Sequence, residues 1–133
     1  MIYNIGMKEL LNIVDEEDKV IGQAPREEIH KNGLLHREIH VYFITPNQEL
    51  IFQHRAKDKE TFPDLLDATV GGHVEIGHSY EETAIKEAEE ETGVKINLSD
   101  LIPINKIRKS GVDKITGKIN NVFNFPLCIC LPR

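Results

Sequence analysis

Between Gly71 and Gly93 the sequence reads GGHVEIGHSYEETAIKEAEEETG. Glu87, Glu90 and Glu91 stand at spacings of three and four, which on a helix brings their carboxylates to one edge. Grouped carboxylates repel one another and resist ionising together unless a cation sits among them. Oxygen donors of this kind suit a hard divalent cation, Mg²⁺ or Mn²⁺, and Mg²⁺ shares its coordination with substrate phosphates. A solvated acidic face balanced by Glu82–Lys86 and Lys86–Glu90 pairs is the plainer reading of this helix taken by itself. Gly71-Gly72 shift the weight, because residues without side chains let backbone carbonyls approach the same cation.

A helix must carry these carboxylates. Ser79 is a natural N-cap, and Glu82 three residues on completes a capping box. Ala84, Ile85 and Ala88 supply a narrow apolar face, and Gly93 is a C-terminal stop, so the spacing predicts a helix over 79–92. Just upstream, residues 68–74 read as a short strand broken by two glycines. EIHVYFIT (38–45) is the strongest strand, β-branched and aromatic and cut by Pro46-Asn47. Residues 49–55 follow a tight turn and are expected to pair with it antiparallel. Residues 10–14 and 19–22 flank the acidic turn 15–18 as a hairpin. Pro25 opens one helical turn to His30, ending near Asn32-Gly33. Residues 56–66, polar with an embedded proline, read as a loop. Residues 104–108 and 122–130 read as further strands, with the basic turn 114–118 between them. Many strands around one central helix indicate an α+β sheet in a single domain, 1–133. The last strand runs into Pro132-Arg133 with no final helix to cover the sheet, so a truncated or altered C-terminus is expected.

The glycine-to-valine segment resembles the Nudix box of the Nudix hydrolase superfamily. That pattern is Gly, five residues, Glu, seven residues, Arg-Glu, an apolar residue, any residue, Glu-Glu, any residue, Gly and an apolar residue. The matching positions are Gly72, His78, Lys86, Glu87, Ala88, Glu90, Glu91, Gly93 and Val94, in register without a gap, and seven of the nine carry the family's residue type. The resemblance implies an α/β/α sandwich with a mixed sheet and metal-dependent hydrolysis of a small-molecule diphosphate, such as a nucleoside diphosphate linked to another moiety. It implies Glu87 and Glu91 as main metal ligands, Glu90 as a direct or water-mediated ligand, and the Gly72 carbonyl as a further one. His78 stands where the box has its first glutamate. Lys86 stands where an arginine orients the catalytic glutamate by a forked contact; lysine keeps the charge and loses the fork.

The pieces NIVDEEDKVIGQ, LLHR and QHRAKDKETFPDLLDATVGGH resemble the branch of this superfamily that includes isopentenyl-diphosphate isomerase. The isomerase's metal histidines map to His36 and His73, its cysteine to Gly71, and its later Glu-x-Glu near 118–122, where this chain has no acid. Without a proton donor at 71 the isomerase chemistry is not supported. Three readings follow: a hydrolase, a catalytically weakened module that binds a nucleotide or diphosphate metabolite, and, last, the isomerase. Of the histidines, His73 borders the glycines within reach of a metal or phosphate, His36 reads as a hydrogen-bonded loop residue more readily than as a site residue, His40 alternates within a strand, and His30, His54 and His78 read as partly exposed. Arg55 and Lys57 are candidate phosphate contacts.

A formal net charge of -6 argues against a nucleic-acid backbone as main partner, yet a bound cation can reverse the sign of a local site. Cys128 and Cys130, two apart on a strand, are poorly placed to bridge each other and read as reduced core thiols. The N-terminus lacks a basic region followed by an apolar run, and no apolar stretch reaches spanning length. A cytoplasmic protein with no membrane partner is expected, and a sheet edge near the C-terminus could pair in a homodimer.

Overall fold

The N-terminal hairpin forms in a computed structural model that describes residues 9–59 and 63–132. Residues 1–8, where the N-terminus was read for a signal sequence, and residues 60–62 of the predicted loop lie outside the described residues. Strand β1 (Leu10–Val14) pairs antiparallel with β2 (Val20–Pro25). Asp15 Oδ1 closes their turn by accepting from the N–H groups of Glu17 and Lys19 at 2.9 and 3.0 Å. Asp18, the last turn residue, ties the hairpin to the rest of the chain. It accepts from Arg37 Nε at 2.7 Å, Tyr80 OH at 2.8 Å and Lys106 Nζ at 2.8 Å. Pro25 then caps α1 (Arg26–Asn32). Seven residues make about two turns, so this helix is longer than expected. Gly33 ends it at φ 67°, a conformation that suits glycine.

After β3 (His36–Ile44) come β4 (Leu50–Ile51), β5 (Gln53–His54), β6 (Leu66–Asp67), β7 (Val70–His73), α2 (Tyr80–Thr92), β8 (Ile102–Pro103), β9 (Ile107–Val112) and β10 (Ile119–Cys130). The sheet is mixed. β3 runs parallel to β10 on one side and antiparallel to β4 and β7 on the other, and β8 and β9 pair with the far edge of β10. Strand alternation gives β3 two unlike faces. Ile39, Val41 and Phe43 join Val70, Val74, Leu127 and Ile129 in a core closed by Ala84 and Ala88 of α2. His36, Glu38 and His40 point to the other face, where α1 lies, so two helices sandwich the sheet. Emptying that core at Ile39, which is 0% exposed, would cost about 2–5 kcal/mol as Ile39→Ala.

Three strand expectations are corrected. Residues 49–55 do not form one strand against β3. β7 takes the same edge of β3, and the Thr69 hydroxyl steps in after Ile51: it accepts from the Phe43 N–H at 2.9 Å and donates to the Ile51 carbonyl. The chain leaves the ladder there, and Gln53–His54 pair with Leu66–Asp67 instead, which turns the end of the predicted loop into a strand. The strand expected over 104–108 is likewise displaced: β8 ends at Pro103, residues 104–106 are not strand, and β9 begins at Ile107. Pro126 has no N–H to offer on that side of β10, and its carbonyl accepts from Ile104 at 2.9 Å, between the two short ladders. Cys128 is half-buried and Cys130 exposed, both free, so they are thiols of the sheet's other face and not of the core.

Helix α2 follows the expected pattern closely. The Glu82 N–H donates to Ser79 Oγ at 3.1 Å, and the Ser79 N–H donates to Glu82 Oε1 at 3.2 Å. Gly93 caps the end at φ 76°. Its small buried residues, Thr83, Ala84 and Ala88, let the helix close on β3 and β7, and this brings Glu87 down onto the glycines. No helix among the described residues is long and apolar enough to cross a membrane.

Candidate functional site

Glycine at position 72 is what allows the helix carboxylates to reach β7. A Cβ there would lie 3.0 Å from Glu87 Cγ and 3.1 Å from its Cδ, tighter than most side-chain contacts, so Glu87 would have to shift. The Glu87 carboxylate therefore lies flat against the strand backbone. Glu91, one turn on, lies near the Gly71 N–H and the Gln53 side chain, and both favour its charged form. Both carboxyls hold their protons more tightly than usual. Burial raises Glu87, with Glu90 adding its charge, and burial together with Glu87 pushes Glu91 up to about 7. Like charges gathered at a partly buried edge have this signature, and a divalent cation among them removes the conflict. The donor set and the glycine cradle fit such an ion.

The ladder also decides which glycine carbonyl is available. The Val74 N–H donates to the Arg37 carbonyl at 3.1 Å across directly opposed residues. Hydrogen-bonded pairs alternate in an antiparallel ladder, so Gly72, opposite Ile39, turns its N–H and carbonyl into the sheet. Gly71, opposite His40, turns its own toward the open edge, on the side where Glu91 lies. The expected Gly72 carbonyl thus points away from the carboxylates, and the Gly71 carbonyl points along them.

Lys86 does not reach Glu87 as the box arginine would. Its Nζ donates to Glu75 Oε1 at 2.8 Å, and neither Glu82 nor Glu90 takes it among the described residues. Glu90 is exposed and stands outside the residues that line the cleft.

That cleft, about 1010 Å³, runs from Glu87 and Glu91 past the edge of β7 to the opposite face of the sheet. There His30, His36 and His73 converge from α1, β3 and β7, with one ring nitrogen of each within 4.8 Å of the others. His36 is 1% and His30 3% exposed, which corrects both the loop reading of His36 and the exposed reading of His30. The Leu34 carbonyl lies 2.9 Å from His36 Nδ1, and His36 Nε2 is buried without a hydrogen-bond partner among the described residues. Burial lowers the proton affinity of His36, and burial plus the charge of His36 lowers that of His73 further. Neutral, converging imidazoles are competent metal ligands.

Between the two groups lies a polar floor. Glu38 accepts from Asn120 Nδ2 at 2.9 Å and from Asn124 Nδ2, and stands 3.3 Å from His40 Nε2 and 3.5 Å from Lys109 Nζ. Burial pushes its carboxyl up, but His40, Lys109 and the asparagines outweigh that and hold it below the usual range. Asn124 Nδ2 also lies 3.0 Å from His40 Nδ1; an amide donor there leaves the imidazole proton on Nε2, facing Glu38 and Asp67. Arg55 lines the cleft but is paired with Asp67 at 3.2 Å. Lys57 is not among the lining residues, whereas Lys59, Lys109 and Arg26 are. Arg26 Nε is buried without a hydrogen-bond partner among the described residues, and its Nη1 is paired with Glu9 at 3.8 Å. Arg26, His30, Glu38 and Glu75 escaped the sequence reading. Only the i, i+4 spacing of Arg26 and His30 on a short helix was there to suggest two of them.

Comparison with known proteins bears on the family and the fold. The family model of the NUDIX domain matches residues 34–116. A Streptomyces coelicolor protein named an uncharacterized Nudix hydrolase is 44% identical over 85 residues, 64% of this chain and 47% of that protein. A Nostoc protein of the same description is 41% identical over 91 residues, 68% of this chain and 54% of that one. The chain thus spans about half the length of these relatives. Among solved structures, a Deinococcus radiodurans protein superposes with a TM-score of 0.74 at 24% identity, over 94% of this chain and 74% of that one. A MutT/nudix family protein from Enterococcus faecalis gives 0.59 at 18% identity, over 72% of this chain and 36% of that one.

Proposed function

The chain belongs to the Nudix family, and from that premise we propose that it hydrolyses a diphosphate linkage in a small molecule by attack of water, using Mg²⁺ or Mn²⁺ at Glu87 and Glu91. The observation that carries this reading is the seating of both carboxylates against Gly71 and Gly72 at the open edge of β7, inside the cleft. Glu87 and Glu91 would hold the cation with the Gly71 carbonyl, and Glu90 would reach it through water. When bound, the ion neutralises diphosphate charge and polarises the attacked phosphorus. Arg26 and Lys59, which line the cleft, meet the remaining phosphate charge, and Arg55 does so on leaving Asp67. His73 and His36, with His30, offer a second and softer cation position on the far side of β7.

A panel of nucleoside diphosphate derivatives and simpler diphosphates, scored for released phosphate or monophosphate with and without Mg²⁺, tests the reading. Turnover of one member that stops in excess chelator is expected. Metal-independent turnover, or full activity of Glu87→Gln and Glu91→Gln, contradicts it.

One observation favours the weakened binding module: Lys86 is committed to Glu75 and gives Glu87 no fork. Tight calorimetric binding of a panel member without product would select that reading. Isomerase chemistry draws no support from the site. Position 71 is glycine, and a Cβ there would already sit 3.3 Å from His40 Cδ2. We further infer a single domain in the cytoplasm, acting on small molecules and not on nucleic acid. The exposed edge strand β9 is where a second copy could add.

A further inference from the structure

The two residues that depart from the box converge on a third that lies outside its defined positions. Lys86 Nζ donates to Glu75 Oε1 at 2.8 Å, and His78 Nδ1 stands 3.9 Å from Glu75 Oε2. Glu75 is fixed from two directions at the backbone. It bridges to Leu11 of the hairpin, and its carbonyl accepts the His78 N–H at 3.1 Å. Its side chain is 23% exposed and lines the same cleft as Glu87 and Glu91, near enough for its charge to act on Glu87.

A lysine is a compact charge on a long flexible stem. At position 86 it has Glu90 four residues on and Glu87 beside it, and both already act on its ammonium. Released, that ammonium would settle among the carboxylates and compete with a cation for them. Held on Glu75, it offsets their repulsion from outside. We propose that Glu75 is a positioning residue of the metal centre, keeping the Lys86 ammonium beside the ligand carboxylates and out of the cation's place. The inference rests on the reading that Glu87 and Glu91 hold that cation.

The pair makes an opposed prediction that a purely structural ion pair does not. Glu75→Gln removes a negative charge and frees the lysine, and both effects weaken cation binding. Lys86→Met removes the competitor and strengthens it. Mn²⁺ binding to the whole chain, followed by the paramagnetic resonance of free Mn²⁺ and needing no turnover, reads both directly. The expected results are a Kd about tenfold weaker for E75Q, tighter than wild type for K86M, and near wild type for the double variant, with E75D retaining most of the affinity. Shifts in the same direction for E75Q and K86M, or no shift in either while E87Q abolishes binding, overturn the inference alone. No Mn²⁺ binding by wild type, or binding indifferent to E87Q, removes the functional reading and the inference with it. Should E75Q fail to fold, K86M decides by itself, and its failure to bind more tightly than wild type overturns the proposal.

Discussion

Glu87 and Glu91 come from a single helix, one turn apart, and stand partly in solvent; His30, His36 and His73 come from three elements and are packed ring against ring, with centroids 5.0–5.4 Å apart. The two groups flank the same glycine strand. The carboxylates conflict when empty, because burial and mutual charge make ionisation costly, and a hard cation relieves that. The histidines are at ease when empty, because burial favours the neutral ring. The difference separates a site that needs its ion for charge balance from one that merely admits it.

The largest expected effect lies on the carboxylate side. Glu87→Gln or Glu91→Gln should lower turnover about a hundredfold or more, measured as kcat/KM with circular dichroism confirming the fold, and should leave cation binding at the histidines untouched. Conversely, His36→Ala should abolish a visible Co²⁺ spectrum from nitrogen ligands while Mn²⁺ binding persists. Loss of both in either variant would merge the two regions into one site. Gly72→Ala should displace Glu87 and cost about tenfold in activity with little change in melting temperature, since the strain falls on a half-exposed side chain. Gly22→Ala, where an added Cβ meets nothing within 4 Å, is the control and should be neutral.

The smallest effect is a pH signature of the metal-free protein. A carboxyl whose folded pKa is raised, as for Glu91 at about 7 against a usual 4.5, penalises the fold fully above pH 7 and not at all below its unfolded value. An imidazole whose folded pKa is depressed, as for His73 against a usual 6.5, penalises the fold as pH falls below 6.5, where the unfolded chain takes up the proton. Melting temperatures should therefore fall on both sides of a maximum at mildly acidic pH. Saturating Mn²⁺ should flatten the alkaline limb only. A single monotonic trend would break the comparison.

The same contrast explains what the sequence could convey. The box helix was legible because its cap, its apolar face and its carboxylates all lie within fifteen residues, where periodicity rules. The histidine cluster was not, because it depends on β3 and β7 pairing so that Glu38 stands opposite His73, and on a helix that the sequence shows as a single turn. The ladder breaks at Thr69 and Pro126 are likewise products of tertiary pairing. Even within the box, the choice of Gly71 over Gly72 as the available carbonyl follows only from the register, and the commitment of Lys86 to Glu75 only from how the turn before α2 folds back.

Crystals soaked in Mn²⁺ and measured for anomalous scattering put the central claim to its most direct trial. A peak bounded by Glu87, Glu91 and the Gly71 carbonyl is predicted. A soaked crystal with no peak there, or with manganese only among His30, His36 and His73, contradicts the account.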